Sequence, residues 1–363
     1  MKKLYLHIGH YKTGTSAIQK YCSEHADVLA ESGYFYPPTS RPRNNRTNHG
    51  DLSLTLAEKH GFTPPPWYQG EGKNIEEVYR AFFKSAQDAE QDTILISSEE
   101  FLQLALREDA ENAIKELRAR LNDFDVNVVF YIREPLSLLK SWYNEVNKGV
   151  GTRNFIMFFM ALNENFLGQL PAYDVFAKVF GPENVLIRTY NDKGSKHIEE
   201  FFRGIGLDHT PAESAGQKIN KAQDIETLEL RRLVKRKNNT SGKDATLSQF
   251  GSLKSLSDRI DQINKDFTEI CGHSDVQIES ELSVYRLFEH LNILIQPLIR
   301  DDLMNPKEAE LLRDAALEAE SSDIELAALL MKMAQSLRPK GPLIGKKVQE
   351  YQAKIDRLNA SAS

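Results

Sequence analysis

The apolar, β-prone segment Leu4-Tyr5-Leu6-His7-Ile8 runs directly into Gly9-His10-Tyr11-Lys12-Thr13-Gly14 and then into Thr15-Ser16-Ala17-Ile18. A strand, a glycine-bounded turn and a helix start in that order leave few folds open. The helix is marked by Ala17, Ile18, Tyr21, Cys22, Val28 and Leu29, which recur at helical spacing until Gly33 ends it. Backbone N–H groups of such a turn and of a helix's first turn converge on one point and favour an anion there. Thr13, Thr15 and Ser16 add hydroxyl donors, so His10, Tyr11, Lys12, Thr13, Gly14, Thr15 and Ser16 are the expected cradle of a phosphate-like group. Gly9 and Gly14 are spaced as in a Walker loop, yet Thr15 stands where an ATPase needs its lysine, and the loop's own lysine is Lys12.

A second segment repeats the pattern far along the chain. Val126 to Ile132 reads as a buried parallel strand, Arg133 emerges at its end, Pro135 suits the first turn of a helix, and Ser141 and Tyr143 lie on that helix. Arginine offers a planar fork of donors to phosphate oxygens, and a hydroxyl on the following helix completes such a site, so Arg133 and Ser141 are expected on one phosphate. Strand-like runs near residues 3–8, 93–97, 126–132 and 184–190 alternate with amphipathic helices, one of them at about 76–88. That alternation predicts an α/β protein of the P-loop type, a three-layer α/β/α arrangement around a mostly parallel sheet. Ligands of such sheets sit at the carboxyl ends of the strands, where His7 to Lys12, Ser97 to Glu100, Arg133 and Arg188 to Asn191 fall.

HIGHYKTGTSAIQ at 7–19 and IREPLSLLKSWY at 132–143 together resemble the sulfotransferases that use 3′-phosphoadenosine 5′-phosphosulfate, most closely the bacterial carbohydrate-type members. The first looks like that superfamily's 5′-phosphosulfate loop and the second like its 3′-phosphate motif. GYFYPP at 33–38 and ILISSEEF at 94–101 are similar to weaker landmarks, and the likeness covers about residues 1–235. It implies transfer of the sulfuryl group to an acceptor hydroxyl, with release of adenosine 3′,5′-bisphosphate and no metal. Lys12 would then stabilise the leaving phosphate, Gly14, Thr15 and Ser16 would hold the 5′-phosphate and sulfonate, and Arg133 with Ser141 would hold the 3′-phosphate. Attack by an alcohol calls for a base within hydrogen-bond reach. Glu99, after a strand expected beside the first, is the leading candidate; His49, with Asp51 to orient it, is the other.

Two rival readings stay open. A P-loop nucleotide kinase would need a lysine at position 15 and an acidic magnesium ligand, which Glu99 would have to imitate. A noncatalytic nucleotide- or carbohydrate-binding protein would bind the bisphosphate without turnover. A formal net charge of -6 argues against nucleic acid as a partner. Cys22 and Cys271 are too few and too far apart for a disulfide framework or a metal site, and the longest apolar run, Phe155 to Leu162, is too short to span a bilayer. With no signal-peptide pattern at the start, the expected location is the cytoplasm.

The expected domains are an α/β core over 1–215, with a loop insertion at 34–75, and a mainly helical region over 216–363. In the insertion, prolines mix with Arg41, Arg43, Arg46 and several asparagines, and no long regular element is expected; Trp67 and Tyr68 suit stacking on a sugar ring. Helical runs follow near 222–237, 254–269, 283–296, 306–318 and 323–337. Arg231 to Lys237 is basic enough to hold an acidic polymer, though basic residues in a helix's last turns also complement its dipole. Ile344, Val348, Tyr351, Ile355 and Leu358 form a stripe that suits docking on the chain's own core or on a second copy, which leaves a homodimer open. A saccharide or glycolipid is the expected acceptor, with a small alcohol or a peptide tyrosine as the other choices.

Overall fold

The computed structural model describes residues 1–68, 72–149, 151, 153, 155–190, 195–208, 232, 235, 252–274, 276–300 and 306–362. Asn191 and, apart from Arg232 and Lys235, the helical run expected at 222–237 lie outside the described residues. Five strands form one sheet: β1 (Lys2–Gly9), β2 (Tyr34–Phe35), β3 (Thr93–Ser97), β4 (Phe124–Ile132) and β5 (Val185–Thr189), in the order β2-β3-β1-β4-β5. Every pairing is parallel, with Leu6 opposite Ile96 on one side and Val128 on the other. All carboxyl ends therefore lie along one edge. The β1–β4 register shifts between His7 and Gly9, where the chain leaves the sheet for the glycine loop.

Alternation along each strand sorts the apolar side chains onto two faces. Leu4, Leu6, Ile8, Ile94, Ile96, Val128 and Phe130 pack with Phe82 of the helix Ile75–Asp88, Leu117 of Ala110–Arg120 and Phe176 of Leu170–Phe180. On the other face Tyr5, Leu95, Val129 and Tyr131 meet Ile18 and Cys22 of Thr15–Glu24 and Ile198, Phe201 and Phe202 of Ser195–Gly204. Each fully buried Leu, Ile or Phe among them contributes about 1.5–3 kcal/mol through removal from water. A parallel sheet with helices on both faces is the three-layer α/β/α architecture expected, and its strands read as near-continuous apolar runs for that reason.

The insertion departs from expectation. Residues Gly50–Lys59 form a helix of ten residues where no regular element was expected. Leu52, Ser53, Leu54, Thr55, Leu56 and Ala57 are all buried, so the helix is covered on every side and shows no amphipathic period. Its hydroxyls are satisfied within the fold: Ser53 Oγ donates to Gly50 O at 3.1 Å and Thr55 Oγ1 to Asp51 O at 2.7 Å. The two-residue β2 is also new, an edge strand too short to leave a pattern.

The described chain divides into two compact units that interleave along the sequence. One comprises 1–134, 165–221 and 266–279; the other comprises 135–164, 222–265 and 280–363. The second is helical among its described residues, including Pro135–Lys148, Phe155–Ala161, Val284–Arg300, Pro306–Ala319, Ile324–Leu337 and Pro342–Ala362. The terminal helix docks on its own unit: Ile344 and Tyr351 are buried, and Glu320 accepts from Tyr351 Oη at 2.8 Å, Lys347 Nζ at 2.9 Å and Lys354 Nζ at 3.0 Å. Leu358, at the far end of that stripe, is exposed.

Candidate anion-binding site

Between β1 and the helix Thr15–Glu24 the backbone enters the left-handed region three times, at Gly9 (φ 65°), Lys12 (φ 63°) and Gly14 (φ 78°). The two glycines adopt it without strain. A Cβ on Gly9 would stand 2.7 Å from Thr15 Cγ2, and one on Gly14 would stand 2.6 Å from His197 Nε2. Lys12 has a side chain, and a non-glycine residue held there is a feature of functional loops. Inside the loop, Thr13 Oγ1 donates to His10 O, so this buried hydroxyl closes the turn. The His10 ring is buried as well, packed on Phe166 at 4.6 Å and Phe130 at 6.4 Å. Burial is the main cause that lowers its pKa to about 4; backbone bonds at Tyr11 and Phe166 oppose the shift, and Arg133 adds to it.

At the helix entrance, Ala17 N–H turns inward to Gly14 O at 3.0 Å. The N–H groups of Gly14, Thr15 and Ser16 precede that first inward bond, the stretch in which a helix's first turn has no intrahelical acceptor for its donors. Thr15 is buried, Ser16 is exposed, and Lys12 is half-buried.

Arg133, at the end of β4, reaches this loop. Its Nη1 donates to the Lys12 carbonyl, 121 positions away in the chain, and its guanidinium lies over the Tyr190 ring at 5.0 Å. The two motifs singled out in the sequence thus meet in space. Gln169, which sequence reasoning missed, holds the arginine's backbone from both sides: Arg133 N donates to Gln169 Oε1 at 3.0 Å, and Gln169 Nε2 donates to Arg133 O at 2.8 Å. Ser141 lies half-buried on the helix Pro135–Lys148, in the second unit.

Two carboxyl groups flank the loop from the end of β3, on the short turn Glu99–Phe101. Glu99 is placed by Gln19, whose Nε2 donates to Glu99 Oε2 at 2.6 Å, and its Cβ lies 3.4 Å from where a Gly9 Cβ would stand. Gln19 is a second residue whose role the sequence did not signal. Glu100 accepts from the Tyr11 hydroxyl, which in turn accepts from Gln103 Nε2 at 2.9 Å. Burial pushes Glu100 up to about 7, the Glu99 charge adds to that, and the Tyr11 hydrogen bond pulls the other way. Tyr11's ring stacks on Phe166 at 6.1 Å, so its side chain is committed to the loop's support.

His49 turns out to be an anchor. Its Nδ1 accepts from Ser97 N at 3.1 Å, its Nε2 donates to Pro37 O at 3.0 Å, and its own N–H donates to Ser97 O at 2.8 Å. Both ring nitrogens are engaged by the main chain, and burial, reinforced by Arg41, depresses its pKa to about 3. Nor does Asp51 orient it as expected; Asp51 pairs with Lys73 at 2.6 Å. His49 instead ties the insertion to the carboxyl end of β3. In the same insertion Tyr68 is buried, whereas Trp67 keeps 39% of its surface exposed. His7 is buried behind the loop, its Nδ1 2.8 Å from Ser97 Oγ.

Among the described residues, no group of His, Cys, Asp and Glu is arranged to hold a metal ion, and no helix is long and apolar enough to cross a membrane. Cys22 and Cys271 are free thiols, both buried. No protein-family profile and no curated protein matches the chain. Among solved structures, the chain is similar to a sulfotransferase from Alicyclobacillus acidocaldarius, with 12% identity over 76% of this chain and 98% of that one at a TM-score of 0.40. It is also similar to the sulfotransferase domain from the curacin biosynthetic pathway, with 11% identity over 67% of this chain and 99% of that one at a TM-score of 0.34. At those scores neither likeness bears on what the site does.

Proposed function

We propose that this chain is a sulfotransferase of the bacterial carbohydrate type. It would transfer the sulfuryl group from 3′-phosphoadenosine 5′-phosphosulfate to an acceptor hydroxyl and release adenosine 3′,5′-bisphosphate. The observation that carries the reading is the bond from Arg133 to the Lys12 carbonyl, which brings a second cationic anchor to the rim of the loop that opens the helix Thr15–Glu24. A donor with phosphates at both ends of one nucleoside needs two such anchors.

In this reading Gly14, Thr15 and Ser16 hold the 5′-phosphate and sulfonate by backbone and hydroxyl donors, and Arg133 holds the 3′-phosphate. The acceptor oxygen attacks sulfur in line, forming an O–S bond as the bond from sulfur to the 5′-phosphate oxygen breaks. Glu99 takes the acceptor's proton, and Lys12 meets the charge that grows on the leaving phosphate. A sulfuryl group carries less negative charge than a phosphoryl group, so a lysine and oriented amides suffice without a metal. Trp67, exposed on the insertion, suits a sugar ring, and a saccharide or glycolipid is the proposed acceptor.

The test is isothermal titration with adenosine 3′,5′-bisphosphate and, separately, with ADP plus magnesium. Metal-independent binding of the bisphosphate that collapses in Arg133→Ala is expected. Preference for ADP with magnesium, or no binding of either, would sink the assignment.

A further inference from the structure

We propose that Glu100 and Gln103 are positioning residues of the glycine loop, acting through the Tyr11 hydroxyl on the backbone that carries Lys12. The inference rests on the sulfotransferase reading only for what the loop binds. Tyr11 immediately precedes Lys12, whose backbone is left-handed at φ 63°, and a non-glycine residue stays in that region only where its surroundings hold it. On one side the holding group is Arg133, which binds the Lys12 carbonyl. On the other it is the Tyr11 side chain: its hydroxyl donates to Glu100 and accepts from Gln103 Nε2 at 2.9 Å, while its ring stacks on Phe166 at 6.1 Å. Gln103 is itself oriented by Arg107, whose Nη2 donates to Gln103 Oε1 at 3.3 Å and whose guanidinium lies over Phe62 at 5.2 Å. The loop residue before Lys12 is thus fixed by a chain of side chains that ends on a cation–π contact.

The support is sensitive to pH near neutrality. Glu100 stands at about 7, with Glu99 on its own turn and Tyr11 on the loop as the titrating groups that act on it. Above that pH the Tyr11 hydroxyl donates to a carboxylate, and hydrogen bonds to an ionised acceptor are about twice as strong as neutral ones. Order in the loop should therefore rise with pH. Global stability moves the opposite way, because a carboxyl whose folded pKa is raised binds more protons in the folded state, so its contribution falls as pH rises from 4.5 to about 7. A purely structural Glu100 would show only the second trend.

Hydrogen exchange of residues 9–16, corrected for intrinsic rates, separates the two without any donor nucleotide. Tyr11→Phe should raise exchange about tenfold at pH 8, the loss expected for one hydrogen bond to a charged group, and Glu100→Gln, which keeps a neutral acceptor, should raise it less. The double variant should match Tyr11→Phe, since without the hydroxyl the residue at 100 has nothing on the loop to accept from. Wild type should approach Glu100→Gln at pH 5.5, when its own carboxyl is neutral. Additive effects, or wild-type exchange that ignores pH, would overturn the proposal. Titration with adenosine 3′,5′-bisphosphate forms the second arm: wild-type affinity should fall more steeply below pH 7 than that of Glu100→Gln, which keeps only the slope set by the ligand's own phosphates. Exchange that responds in a protein that binds no bisphosphate would leave the positioning role standing and remove the sulfotransferase reading. Binding without the exchange response would do the reverse.

Discussion

Gly14→Ala offers a sharp test of the loop's geometry, because a second glycine supplies its control. Gly14 and Gly33 adopt nearly the same backbone, with φ of 78° and 85°. Their surroundings differ. A Cβ at Gly33 meets nothing within 4 Å, whereas one at Gly14 would stand 2.6 Å from His197 Nε2, 2.7 Å from His197 Cδ2 and 2.9 Å from Tyr190 Cε2. Alanine at either position incurs the left-handed penalty, about 1–2 kcal/mol. At Gly14 the two rings must also move. His197 is buried and packed edge-on against Tyr131 at 5.2 Å and Tyr190 at 5.0 Å, so no empty space receives it. Forcing a methyl group into packed surroundings costs about 1–3 kcal/mol, which brings the total for Gly14→Ala to about 2–5 kcal/mol against about 1–2 for Gly33→Ala. Urea unfolding at pH 7 measures both. Because Tyr190 also lies against Arg133, Gly14→Ala should weaken bisphosphate binding while Gly33→Ala leaves it unchanged. Equal destabilisation by the two substitutions would refute the crowding argument, and with it the account of why glycine occupies position 14.

Further outcomes follow from the other residues of the site. Lys12→Ala should lower turnover about 100-fold or more, the usual loss when a group that meets developing charge is removed, with a smaller change in bisphosphate affinity; steady-state transfer and titration read the two separately. His49→Gln should destabilise the fold by about 1–3 kcal/mol, because a buried Ser97 N–H and the Pro37 carbonyl lose their partner, and urea midpoints would show it. His49 and His7 are both depressed from 6.5 to about 3, mainly by burial, so between those values the unfolded chain binds more protons than the folded one. Stability should therefore fall as pH drops from 6.5 toward 4, and His49→Gln should show a shallower fall than wild type in unfolding measured at pH 7 and pH 5; parallel slopes would contradict a buried neutral imidazole.

Most of the first unit's sheet was legible. β1, β3, β4 and β5 each carry an apolar run bounded by polar residues, and a parallel sheet covered on both faces makes such runs unavoidable. The helix Gly50–Lys59 was not legible, since Leu52, Leu54 and Leu56 alternate with Ser53 and Thr55 as in a strand, while burial of all five erases the helical period. The glycine loop and Arg133 stood out through residue type, and β1 and β4 being neighbours brings them together. Gln169 gave no signal, and Gln19 and Tyr190, though inside the quoted loop motif and the strand-end stretch 188–191, gave none of their roles. Their roles depend on which atoms face them across long stretches of chain, and one side chain's type says nothing about that. His49 misled for a related reason: an imidazole in a loop titrates near neutrality only when solvent reaches it, and the main chain of Pro37 and Ser97 shuts solvent out.

The His49 anchor also bears on how this chain could be rebuilt. One residue, through its Nδ1 and its own N–H on the main chain of Ser97, pins the insertion to the end of β3, and main-chain partners are indifferent to what side chain stands at 97. Beyond that pin, Arg43, Asn44, Arg46 and Trp67 face outward and carry little of the core. The segment's outward residues should therefore tolerate replacement together without loss of the fold, provided the histidine and the buried helix behind it are kept.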